Sequence, residues 1–236
     1  MQQDRIKPQT WTIEGFFSAS HLVAADVQRD YQWTKSEVAT LVGDLFTHLK
    51  SHPERPGGPP REPYFLGAIV CTKRENVYAV YDGLQRSTTL TVLLAMLRDR
   101  VTEPALADRL NTCVTADETR PRLVLPPPDE TLANDIQPRG ATLNGIKGGF
   151  FGRRLAIRDN RNQIERMLKT RDPEEVNALA RMLLEDVCIV VMQIEGETFA
   201  RKVFETTNMR GLPVEAHDLI KGRFVQFANS DAPAEE

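Results

Sequence analysis

The chain has 236 residues, 41% hydrophobic and 27% charged, a composition that supports a folded domain with a sizeable core. A net charge of -3 and a pI near 5.9 exclude a global basic field, so contact with nucleic acid has to use a local patch. Three widely separated cysteines, Cys71, Cys113 and Cys188, form neither a disulfide frame nor a zinc pattern and read as reduced thiols. With no apolar leader and no run near the roughly 18 apolar residues of a spanning helix, the expectation is a cytoplasmic protein with no membrane partner.

Residues 34 to 50 place Val38, Leu41, Val42, Leu45 and Leu49 on one helical face, and Thr34 and Glu37 stand at capping-box spacing. The following SHPERPGGPPREP is too rich in proline and glycine for regular structure and reads as a loop. FLGAIVC (65 to 71) and VYAVYD (77 to 82) read as a hairpin whose second strand feeds a helix over 86 to 100. The stretch from 101 to 150 is less regular, with RLVL (122 to 125) as a short strand and GATLNGIKGG as a glycine-rich loop. Helices follow over 151 to 169 and 173 to 186, the second opening on Pro173, then the strand VCIVVMQI (187 to 194), a helix around 197 to 208 and a last helix from 214 to 228.

Three stretches carry candidate chemistry. In YDGLQRSTTLT (81 to 91) a strand ends in Asp-Gly and turns at once into a helix, which gathers free backbone N–H groups and the positive end of the helix dipole at one point. Gly83 allows positive φ or close approach of a ligand, Arg86 offers a fork of donors suited to phosphate, and Ser87, Thr88 and Thr89 add hydroxyls. Asp82 can hold a magnesium ion, orient Arg86 or cap the helix, and a plain strand-to-helix turn with a capping Asp is the structural alternative. In VQRDYQW (27 to 33), Gln28 and Arg29 with Tyr31 and Trp33 suit a nucleotide or a DNA backbone with an exposed base; core anchors at a helix entrance are the alternative for the two rings, and the preferred one for Trp33. In FETTNMRGLPVEAHDLIKGRF (204 to 224), Asn208 and Gly211 suit a helix end, while Asp218 and Lys221 are either a surface pair or pocket residues. Separately, residues 139 to 171 are strongly basic, and Arg154, Arg158 and Arg161 share a helical face that is either a phosphate stripe or a solvated surface.

Taken together, the three stretches resemble the bacterial DGQQR-motif domain, domain of unknown function family 262, which stands at the front of GmrSD-type and SspE-type restriction proteins. The motifs occur in family order as Val27 to Trp33, Phe65-Leu66-Gly67, Asp82 to Leu90 and Phe204 to Lys221. The resemblance implies an α+β fold, with a ParB/sulfiredoxin-like small sheet and flanking helices over 1–130. A mostly helical part with one strand then follows over 131–236. It implies an NTP-binding and NTP-hydrolysing, DNA-sensing domain of an anti-phage restriction system, with Mg2+ and GTP, ATP or CTP as cofactors. DNA, including modified DNA, and a nuclease domain or subunit outside this chain would be its partners.

On this resemblance Asp82, Gln85 and Arg86 are catalytic, and Gly83, Ser87, Thr88, Gln28, Arg29, Asn208 and Lys221 bind nucleotide. From the residues themselves, independently of the resemblance, Tyr31, Arg154, Arg158 and Arg161 are the candidate DNA contacts and Asp82 the candidate magnesium ligand. Two positions depart from the family pattern: Leu84 replaces the first Gln of the pair, and Val27 replaces the Tyr before Gln-Arg. Leu84 favours the rival reading of a non-catalytic DNA- or nuclease-binding module. A ParB-like DNA endonuclease ranks last, because the motifs supply only Asp82 and Asp218 for a metal cluster.

Overall fold

A computed structural model describes residues 6–26, 31–53, 61–117, 120–125, 136 and 153–209, the side chains of 153–155 and 205–209 excepted. The segments expected as a glycine-rich loop (140–149) and a last helix (214–228) lie outside the described residues, as do Gln28, Arg29 and Lys221.

The fold is α+β. Its elements run β1 (Ile6–Thr12), α1 (Ile13–Ala19), β2 (His21–Ala24), α2 (Lys35–Ser51), β3 (Tyr64–Arg74), β4 (Val77–Asp82), α3 (Leu84–Arg98), α4 (Pro104–Val114) and β5 (Leu123–Val124). Then come α5 (Arg153–Lys169), α6 (Pro173–Glu185), β6 (Val187–Ile194) and α7 (Glu197–Met209). The strands form one mixed six-stranded sheet in the order β1-β6-β3-β4-β2-β5. β3 and β4 make the expected antiparallel hairpin, and β6 runs parallel to β3 and antiparallel to β1.

Strand alternation divides the sheet into two faces. Tyr78 and Val80 of β4, Ile69 and Cys71 of β3, and Ile189 and Val191 of β6 point into the main core with helices α1 to α6. Val70, Tyr81 and Ile194 face the other way, where Ala200, Phe199 and Val203 of α7 cover them. α2 follows its sequence pattern closely. Thr34 accepts from the Ser36 amide, the Glu37 carboxylate takes the Thr34 amide at 2.5 Å, and Val38, Leu41, Val42, Leu45, Phe46 and Leu49 are buried.

At the centre stands α3. Every one of its residues is buried except Gln85 and Arg86, so it has no solvent face along its length. α4, α5 and α6 pack around it. Its polar run is satisfied within the helix itself: Thr88 donates to Leu84 O at 2.9 Å, Thr89 to Gln85 O at 3.0 Å and Thr91 to Ser87 O at 2.8 Å. At its C-terminal end Arg98 is buried but compensated, donating to Asp99 Oδ1, Asn111 Oδ1 and Ile136 O at 3.0, 2.9 and 2.7 Å.

Two outcomes correct the reading of the sequence. The stretch after 101 contains α4, whose Leu106, Leu110, Cys113 and Val114 do recur at helical spacing, with Pro104 in its first turn. The amino-terminal residues supply β1, α1 and β2. β1 is an edge strand exposed over five of its seven residues and α1 is only seven residues long, so neither writes a strong apolar period. The cysteines are free, and burial pushes the thiols of Cys71 and Cys113 up to about 12.

Arg109 of α4 ties three helices: it grips both carboxylate oxygens of Glu14 on α1 at 2.8 and 2.6 Å and reaches Glu185 of α6 at 2.7 Å. The hydrogen bond from Arg109 lowers the Glu14 pKa from its ordinary value of 4.5. A depressed folded-state pKa gives stability that is complete above the ordinary value and is lost as pH falls through the lower one. In urea unfolding, wild type should therefore exceed Glu14→Gln near neutral pH, and the gap should close in acid. By the same assay Leu93→Ala, which empties a fully buried position of α3, should cost about 3 kcal/mol, and Thr34→Ala, which removes one cap, about 1 kcal/mol.

Candidate functional site at the start of the central helix

The junction between β4 and α3 is where the buried helix reaches the surface. Gly83 is its N-cap at φ 90 and no side chain caps the helix. The first intrahelical bond is Ser87 N to Gly83 O at 2.9 Å, so the N–H groups of Leu84, Gln85 and Arg86 belong to the open first turn. A Cβ at Gly83 would stand 3.0 Å from Ile69 Cγ1 and 3.2 Å from Ala68 O, so close packing on β3 as well as φ requires glycine here. Asp82 is exposed and does not cap the helix; its Oδ1 accepts the Gly83 amide at 2.8 Å.

Arg86 folds back onto β3, and Nη1 donates to Ala68 O at 2.9 Å. The pairing of β3 with β6 shifts register between Phe65 and Ala68, and Gly67 within that irregularity has φ +108. A Cβ at Gly67 would lie 3.1 Å from the guanidinium carbon and 3.1 and 3.2 Å from its terminal nitrogens. The Phe-Leu-Gly motif thus leaves a notch and the Arg of the second motif fills it. Burial lowers the Arg86 pKa from its usual value, against the pull of the Asp82 carboxylate. Arg98, at the other end of the same helix, has three acceptors, whereas Arg86 has the single carbonyl of Ala68 among the described residues. A half-buried cation at the positive end of a helix is electrostatically under-compensated.

Gln85 turns sideways. Its Oε1 accepts the backbone amides of Gln32 at 2.7 Å and Trp33 at 3.3 Å. One turn further along α3, the hydroxyls of Tyr31 and Thr89 are 2.8 Å apart. Asn160 of α5 closes the group from the far side, with Nδ2 donating to Tyr31 Oη at 3.0 Å and to Trp33 O at 2.6 Å. Burial raises the Tyr31 pKa.

Of the residues expected at the site, the structure brings together Asp82, Gly83, Gln85 and Arg86, with Tyr31 on the flank. Ser87 and Thr88 are buried, their hydroxyls given to Gly83 O and Leu84 O, which makes them packing residues of α3. Tyr31, expected to meet DNA, is 6% exposed and offers no ring face for stacking. Leu84 is a core residue. On α5, Ile157, Ile164 and Leu168 face the core, Arg158 is exposed and Arg161 half-buried, and the side chains of Arg154 and Asn208 lie outside the described residues. Sequence reasoning missed Gly67 as a site residue, although it quoted the motif, and missed Asn160 altogether. A lone Asn within a basic helix carries no signal of its own. Among the described residues no group of three or more His, Cys, Asp or Glu side chains could hold a metal ion, and no helix is long and apolar enough to cross a membrane.

The chain matches the family model described as GmrSD restriction endonuclease, N-terminal domain, over residues 13–225, and belongs to that family. No curated protein matches it.

The notch makes a direct prediction. Gly67→Ala should destabilise the fold by about 1–3 kcal/mol, from a disfavoured φ and a displaced guanidinium. Gly43→Ala in α2, where an added Cβ meets nothing within 4 Å, should stabilise by about 0.5–1 kcal/mol. Urea unfolding of the two variants should move in opposite directions.

Proposed function

We propose that this restriction-system domain binds the phosphates of a nucleoside triphosphate at the start of α3, hydrolyses it, and couples that to DNA sensing for a nuclease domain or subunit. The observation that supports this most is Arg86. It is a half-buried guanidinium with one carbonyl acceptor among the described residues, at an uncapped helix N-terminus, and a phosphate oxygen would add counter-charge to that of Asp82 while accepting from the helix amides. The Gly83 backbone allows close approach, and the Arg86 fork with the first-turn N–H groups would stabilise charge on the transferred phosphoryl group.

Asp82 fits magnesium as a single carboxylate ligand: Oδ1 holds the Gly83 amide and Oδ2 lies outside that bond, the kind of sparse protein contribution a magnesium–nucleotide site uses. A bound magnesium would supply neutralisation of phosphate charge. As the exposed acceptor of the site, Asp82 would also orient the attacking water. GTP, ATP and CTP are the candidate substrates. The Arg154, Arg158 and Arg161 positions of α5 form the candidate DNA contact, and Gln28, Arg29, Asn208 and Lys221 are further candidates on the resemblance.

A second reading, a non-catalytic module that binds DNA or the nuclease, draws on Leu84, which is buried in the core where the family carries an amide. The experiment that separates the two is phosphate release from ATP, GTP and CTP with magnesium, with and without DNA. DNA-stimulated turnover should appear in wild type and fall by about 10²-fold or more in both Arg86→Ala and Asp82→Ala. Absence of turnover with every nucleotide, in folded protein that still binds DNA, would select the binding module and make Leu84→Gln the variant to assay next.

A further inference from the structure

We infer that Gln85 is a positioning residue rather than a catalytic one, and that Asn160 of α5 is its partner in a clamp on the Tyr31–Trp33 backbone beside the start of α3. The inference deepens the nucleotide-site reading and rests on it only for its effect on turnover.

Three observations carry it. First, the Gln85 carboxamide oxygen, the atom that would accept a hydrogen bond from an attacking water, is shared between the N–H groups of Gln32 and Trp33 at 2.7 and 3.3 Å. An acceptor with two donors in place is poorly disposed to orient a third. Second, Asn160 is 3% exposed and spends Nδ2 on the same three-residue strap, at Tyr31 Oη and Trp33 O. Its Oδ1 is buried with no partner among the described residues, so the carboxamide is held for the two bonds its nitrogen makes and at the cost of one unmade. Third, Tyr31 continues the connection to Thr89 at 2.8 Å, so the strap is fixed to α3 at two successive turns and to α5 at one point.

The strap has no regular secondary structure of its own, and three of its backbone groups, the Gln32 and Trp33 N–H and the Trp33 carbonyl, are bonded by side chains from two helices. Gln85 and Asn160 therefore fix where this backbone lies relative to the first turn of α3 and the Arg86 guanidinium. Loss of either side chain would let the strap move without removing any group that binds phosphate.

The test uses the emission of Trp33, which lies in the strap. Trp11 is the second tryptophan of the chain, so a Trp11→Phe background isolates the signal. Gln85→Leu removes the shared acceptor, and Gln85→Glu keeps an oxygen in its place. Gln85→Leu and Asn160→Ala should each shift Trp33 emission to longer wavelength, while Gln85→Glu should retain the wild-type emission. With ATP, GTP or CTP, Gln85→Leu should raise KM about tenfold with kcat changed little.

Wild-type emission in Gln85→Leu would overturn the inference, as would a fall in kcat of about 10²-fold or more with KM unchanged, the signature of a catalytic amide. The emission arm needs no nucleotide, so a protein that releases no phosphate defeats the hydrolase reading and leaves the clamp to be decided by emission alone. If Asn160→Ala fails to fold, the Gln85→Leu and Gln85→Glu pair decides, at a position that is only half-buried.

Discussion

The rest of the molecule depends on the enclosure of α3. A helix without a solvent face can carry polar residues only if each finds a partner inside, and this one does so by turning its hydroxyls back onto its own carbonyls. The same enclosure sets the position of the site. Gln85 and Arg86 are the residues of α3 that are not fully buried, and both belong to the first turn, where the helix emerges between β4 and the strap. The chain thus confines helix dipole, open amides and a cation to one place without needing a loop to carry them.

Arg86 and Arg98 show how the environment separates two like residues on one helix. Arg98 lies at the negative end of the dipole with a carboxylate, an amide oxygen and a carbonyl around it, and its charge is balanced where it stands. Arg86 lies at the positive end, in a notch that glycine leaves, with one carbonyl among the described residues. Burial there works against the charged form of Arg86. Asp82 is the neighbouring charge that moderates it. Both register shifts of β3, between Phe65 and Ala68 and between Val70 and Cys71, fall beside the junction where the Ala68 carbonyl and the notch lie.

Legibility in the sequence followed the strength of the local physics. The capping box of α2, the β3–β4 hairpin, β6 over residues 187–194 and the Pro173 start of α6 were readable because cap, period and turn chemistry agree there. β1 and α1 were not, because an exposed edge strand and a two-turn helix are determined by the β6 partner and the core they meet rather than by their own pattern. The Asp-Gly-Leu-Gln-Arg stretch could be placed at a helix start from its residues, but the division of labour within it could not. Ser87 and Thr88 read as ligand donors because a hydroxyl near a helix start looks the same in sequence whether it faces solvent or its own backbone. Tyr31 read as a DNA contact with a core anchor as the alternative, and its burial with its Thr89 and Asn160 partners makes it an anchor.

That division bears on why Leu84 is compatible with the site. If the two glutamine positions of the family motif both acted on the ligand, replacing one by leucine would leave half a site. Here position 84 points into the core and position 85 holds the strap, so the leucine adds buried apolar area without removing any group from the Arg86 notch. The polar demands of this helix start fall on Asp82, Gly83 and Arg86, and those three residues are unchanged from the motif. The identity of residue 84 then affects how firmly α3 is seated under the junction, and it leaves the contacts of Asp82, Gly83 and Arg86 in place.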